Sequence, residues 1–188
     1  MHDVRCDQIL FIMESLIEMI EVAFANVQYP GDDCLTDSFG EEAEALEIEF
    51  RGKTDWKALD PEFLNQAPDG WGSALSFFSA AALQFYLPAY LIADIDGSLE
   101  IGDASTRLCA FVAPQMEKKK IAKVYGGGTL GEHARKEFSR FTALQVSAIV
   151  SYLWWKLEKE GYNPTIEQAL ENYWLEREAH LNEYPKGD

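Results

Sequence analysis

At 188 residues, 47 % of them hydrophobic and 13 % aromatic, the chain is long enough to bury a core without a metal or disulfide staple and too apolar to be disordered. Its formal net charge of −16 lies entirely in the first hundred residues, where twenty acids face four bases; residues 101–188 carry twelve of each. Direct contact with nucleic acid or an anionic membrane needs cationic surface, so both are disfavoured, while a basic protein would be attracted to the N-terminal half.

The first predicted element is an amphipathic helix from about Asp3 or Asp7 to Asn26. Ile9, Ile12, Met13, Leu16, Ile20, Ala23, Phe24 and Val27 recur at helical spacing, with Glu14, Glu18 and Glu21 on the polar side. The apolar run within it has Asp3 and Asp7 before it, unlike a signal peptide, which needs a basic start. Tyr29-Pro30-Gly31-Asp32-Asp33 punctuates the next turn. A second helix is predicted from Asp37 or Ser38 to Arg51, with Ser38 and Glu41 as a capping box and Gly52 at the C-cap. Asp60-Pro61 opens a helical turn to about Gln66, and residues 67–73 form a loop.

Ser79 is placed to cap the most apolar helix, whose sequence runs from Phe77 to Ala93 with Pro88 inside it. A helix apolar on every side must be surrounded by others, and the stretch is short for a membrane span and has no flanking Lys or Arg. Beyond it, Asp94-Ile-Asp96-Gly97 reads as a turn, Thr106–Val112 as a short helix or strand, and Ile121–Tyr125 as a strand before Gly126-Gly127-Gly128. Thr142 with Gln145 caps a long helix closed by Gly161, and Thr165 with Gln168 starts the last one. The expected fold class is therefore mainly α: a single domain over 1–188, a helical bundle around the buried apolar helix at about 77–93, with room for a small β element in 94–131.

No motif carries a specific chemistry. Gly126–Gly131 satisfies G-x-G-x-x-G, but the capped helix from Thr142 stands where a second strand with its ribose-binding acid belongs, and Glu132 replaces the lysine of a P-loop. Asp94–Glu100 has its Gly and Glu out of register for a calcium loop. His2, His133 and His180 lie too far apart in sequence to suggest a zinc set. Cys6, Cys34 and Cys109 are odd in number with no C-x-x-C, which argues against a disulfide framework and fits a reducing, cytoplasmic setting. The densest acid cluster is Asp32, Asp33 and Asp37 with Glu41 and Glu42.

Two segments together resemble a bacterial family known only as a domain of unknown function. They are Ala23–Asp33, which contains Tyr-Pro-Gly-Asp-Asp, and Leu75–Leu91, which contains Tyr-Leu-Pro-Ala-Tyr; a Phe-Arg-Gly-Lys segment, Phe50 to Lys53, stands between them. The resemblance is close over about residues 9–95 and looser over the C-terminal helices. It implies a domain and a bacterial cytoplasmic origin but no activity.

The function expected is that of an acidic binding protein, immunity- or antitoxin-like in its most concrete form, recognising a basic partner and requiring no metal or cofactor. Its candidate binding residues are Tyr29, Pro30, Gly31, Asp32 and Asp33, with Trp71, Tyr86 and Tyr90 as the wall of a small-molecule pocket. The alternative is an enzyme working through the carboxylates near Asp32 and Asp33, with or without a divalent metal.

Overall fold

The computed structural model describes residues 4–66, 74–100, 102–123 and 126–183. Every regular element among them is helical; the sole β features there are two isolated bridges, Thr36 with Phe78 and Lys120 with Thr129. The chain divides into two compact units, Met1–Gly102 and Asp103–Asp188. Residues 101 and 102 are uncharged, so the charge step in the sequence coincides with this division: the first unit holds the whole net charge of −16.

In the first unit, α1 (Val4–Phe24) packs against α4 (Ala80–Asp96). α4 is buried nearly all round, as its composition requires, and Pro88 sits inside it without ending it. Ser79 caps it by accepting the Ala82 N–H at 3.1 Å, and Gly97 closes it in the left-handed conformation. Asp94 and Asp96 therefore belong to the last turn of α4, and the predicted turn begins only at Gly97.

The burial of α1 is narrower than its periodicity suggests. Leu16, Ile20 and Phe24 are in the core, whereas Ile9 and Ile12 are exposed: among the described side chains of α1, the buried ones all lie in its C-terminal half. α2 (Glu41–Phe50) buries Ala43, Leu46 and Phe50. Its predicted Ser38–Glu41 capping box does not form. Gly40 takes the N-cap position with φ 108° and no side-chain bond, and the Ser38 N–H is instead donated to the Thr36 hydroxyl at 3.0 Å. The Thr36–Phe78 bridge holds the chain there, so the helix starts later. α3 (Pro61–Leu64) is capped by Asp60, as its Asp-Pro start indicates. The predicted loop at 67–73 lies outside the described residues.

The second unit contains α5 (Ala104–Cys109), α6 (Pro114–Glu117), α7 (Leu130–Phe138), α8 (Ala143–Glu160), α9 (Pro164–Ala169) and α10 (Leu175–Glu183). A single π turn, Leu170–Trp174, joins α9 directly to α10. α8 has the predicted Thr142–Gln145 capping box and ends at Gly161. α9 starts earlier than Thr165: Asn163 caps it through the Ile166 N–H and Pro164 fills the first position, a stronger start than a threonine. The strand expected over Ile121–Tyr125 is absent among the described residues. There the Ile121 N–H pairs with the Gly128 carbonyl and Leu130 with Lys119, a short bridge around the glycines; Val124 and Tyr125 lie outside the described residues.

No helix among the described residues is long and apolar enough to cross a membrane.

Candidate functional site

The loop after α1 is held against the start of α4 by backbone and hydroxyl bonds. The Ser79 hydroxyl donates to the Cys34 carbonyl at 2.6 Å, the Ser79 N–H to the Leu35 carbonyl at 2.9 Å, and the Thr36 hydroxyl to the Phe77 carbonyl at 2.6 Å. Gly31, at φ 94°, turns the chain into a short 3₁₀ turn, Asp32–Cys34, a conformation that favours glycine. This leaves Tyr29 lying edge-on to Phe85 at 5.5 Å between ring centres.

The three motifs that carry the resemblance meet here. The Tyr29 hydroxyl donates to Asp32 Oδ1 at 2.5 Å, and the Gly52 N–H donates to the same oxygen at 2.8 Å. The Tyr86 hydroxyl donates to the Lys53 carbonyl at 2.7 Å. Phe50 packs edge-on to Tyr86, Phe78 and Phe63, and Phe78 stacks on Tyr86. Tyr-Pro-Gly-Asp-Asp, Phe-Arg-Gly-Lys and Tyr-Leu-Pro-Ala-Tyr thus form one cluster with its hydroxyls and carboxylate bonded internally.

The hydrogen bond from Tyr29, then that from Gly52, holds Asp32 below the usual carboxylate range. Burial, reinforced by the Asp32 contact, pushes the Tyr29 phenol up. Burial raises the Tyr86 and Tyr90 phenols far above the ordinary tyrosine value. At neutral pH the site therefore holds an ionised, hydrogen-bonded carboxylate among neutral phenols. Among the described residues no group of three His, Cys, Asp or Glu side chains is placed to hold a metal ion.

Of the sequence candidates, Tyr29, Asp32 and Tyr86 come together, with Pro30 and Gly31 half-buried beside them. Tyr90 is buried one turn further along α4, edge-on to Phe78. Trp71 lies outside the described residues. Asp33 points to solvent, as do Asp37, Glu41, Glu42 and Glu44 in the loop and first turns of α2. Two of the unit's four bases are engaged elsewhere: Lys57 pairs with Glu21 at 3.1 Å and Lys53 lies over the Phe63 ring. The outward-facing part of the site is thus an acid-rich surface beside an aromatic core, with Arg51 close enough to Asp32 to help hold its carboxyl ionised.

The second unit holds a polar network that the sequence reading missed. Asn172 donates to the Val112 carbonyl at 2.6 Å and to Glu117 at 3.0 Å, while Arg135 donates to Glu117 at 3.2 Å and to the Asn172 carbonyl at 3.3 Å. The Asn172 bond and then the Arg135 bond hold the Glu117 carboxyl below its ordinary value. Gly131 lets α7 approach α6 this closely, since a Cβ there would stand 2.8 Å from Glu117 Cβ. A cavity of about 450 Å³ opens between α5, α6 and α9. Part of its polar lining is already engaged: the Ser105 and Thr106 hydroxyls donate to Asp103, and Gln115 pairs with Gln168.

An all-α chain with an aromatic cluster beneath an acidic face defines the class. Residues 12–178 match the model of a family of unknown function, DUF6714, and the chain belongs to that family. No curated protein and no solved structure gives a match.

Proposed function

We propose that this is an acidic interaction protein whose first unit recognises a basic partner. The observation that carries this reading is the distribution of charge. All sixteen surplus negative charges fall within residues 1–102, and the acids of the 33–44 segment face solvent in a stretch with no Lys or Arg between Arg5 and Arg51. Such a surface accelerates encounter with a cationic partner and repels nucleic acid and anionic membrane. An immunity- or antitoxin-like role in the cytoplasm is its most concrete form. The Asp32 carboxylate, bonded to Tyr29 and Gly52, is a structural group, which weighs against the enzymatic alternative. The test is retention of proteins from a lysate of the source cells on the immobilised full chain, eluted along a salt gradient. Basic proteins released by rising salt are expected. Retention of nothing basic at low salt, or retention indifferent to salt, would remove the proposal.

A further inference from the structure

α1 presents three distinct faces. At about 100° per residue, Leu16, Ile20 and Phe24 share one arc, and they are buried. Asp7, Glu14, Glu18 and Glu21 form a second, acidic row. Between the acidic row and the buried arc runs a third strip: Phe11, Ile12, Met19 and Val22, all within an arc of about 100° and each between 42 % and 70 % exposed. An ordinary surface helix has one apolar stripe and a polar remainder; this one has a second solvent-facing strip, in which these four apolar side chains flank Gln8 and Ser15 and carboxylates run along one border.

We infer that this stripe and its acidic border seat a basic amphipathic helix of a partner protein. The inference rests on the basic-partner reading and deepens it by naming the surface and the shape of the ligand. Charge complementarity chooses the occupant. A helix with leucine-like residues at i, i+4 and i+7 would pack on Phe11, Met19 and Val22, and Lys or Arg beside them would meet Asp7, Glu14 and Glu18. A second copy of α1, packed antiparallel on the same stripe, would bring two acidic rows together and be repelled. An anionic lipid surface would be repelled in the same way.

The probe is a fluorescent peptide of Lys and Leu at helical spacing, about five turns long, titrated with the full chain at low salt and followed by anisotropy. Its companions are a Glu/Leu peptide of the same pattern and a Lys/Ser peptide of the same charge. The Lys/Leu peptide is expected to bind and the other two to bind much more weakly. Phe11→Ser with Val22→Ser should weaken binding at least about tenfold, and Glu14→Gln with Glu18→Gln should weaken it and flatten its salt dependence. Glu158→Gln with Glu171→Gln and Glu176→Gln removes more charge, but from exposed positions of the second unit, and should leave affinity close to wild type. These are solvent-facing positions, and circular dichroism verifies that each variant is folded. If the stripe variant binds like wild type, or the second-unit variant is the weaker one, the seat is wrong while salt-dependent capture of basic proteins still stands. If no peptide binds, this proposal fails, and the salt-gradient retention decides the broader one separately. Sedimentation showing a dimer that Phe11→Ser with Val22→Ser abolishes would overturn it in favour of self-association.

Discussion

Asp32 takes one hydrogen bond from a phenol three residues before it and another from an amide twenty residues after it, both on the same oxygen. Those donors favour the ionised form, so the carboxyl titrates at lower pH in the folded chain than in the unfolded one. Its contribution to stability is therefore fully present above the unfolded pKa of about 3.9 and disappears as pH falls through the lower, folded value. Asp32→Asn should be less stable than wild type at pH near 7, with the gap closing under acid; urea midpoints at both pH values measure it, and a gap that widens under acid would contradict the assignment. Phe50 is the hub of the neighbouring rings, touching Phe63, Phe78 and Tyr86. Phe50→Ala is expected to cost about 3–5 kcal/mol, the usual penalty for emptying a packed aromatic site, read from denaturant unfolding.

The element that most shapes the second unit is the π turn Leu170–Trp174. One extra residue in a helix frees a carbonyl and re-aims the next turns. Here the Asn172 carbonyl accepts from Arg135, while Trp174, fully buried, donates to the Leu108 carbonyl at 3.0 Å. Beyond it, α10 keeps Glu178 in reach of the Ser147 hydroxyl on α8 at 2.6 Å. Deleting exposed Glu171 would restore a regular helix and rotate one side of the turn by about 100° against the other. Helix content should then survive, while stability falls by about 3–5 kcal/mol, the cost of withdrawing a buried Trp. A deletion variant that melts like wild type would show that the turn does not set this register. Such a turn has no sequence signature, because it is fixed by the groups that Trp174 and Asn172 reach on other helices. α7 is different: Thr129 and Glu132 form a capping box of the same kind that marks α8, and the glycine run before it concealed a legible start. Ser38–Glu41 had the same pattern but lost to the pairing at Thr36, whose hydroxyl bonds the Phe77 carbonyl 41 residues away in sequence. Local signals thus mark the starts of α3, α4, α7 and α8, whereas the long-range pairing at Thr36 decided where α2 begins. At the site, the Tyr-Pro-Gly-Asp-Asp turn was readable as a feature, but its junction with Gly52 and Lys53 depends on tertiary closure.

Across the whole chain the charge is lopsided, with the acidic surplus confined to one unit and the other balanced. Like charges at that density repel, and salt with a Debye length of about 10 Å at 0.1 M screens them. Sodium chloride raised to about 0.3 M should therefore increase hydrogen-exchange protection in residues 4–100 more than in residues 103–183. Equal gains in both would point to a general solvent effect instead of charge repulsion.

The aromatic cluster has a consequence for how the protein is made. Its members come from Tyr29, Phe50, Phe63, Phe78 and Tyr86, and the clamp between Ser79 and Cys34 spans 45 residues. A chain leaving the ribosome N-terminus first cannot close this cluster until α4 has emerged. Until then Phe50 and its neighbours lack their partners, the condition in which nascent chains stick to one another. The acids that precede α4 accompany that stretch throughout its wait, and like charge at that density repels unfinished copies from one another.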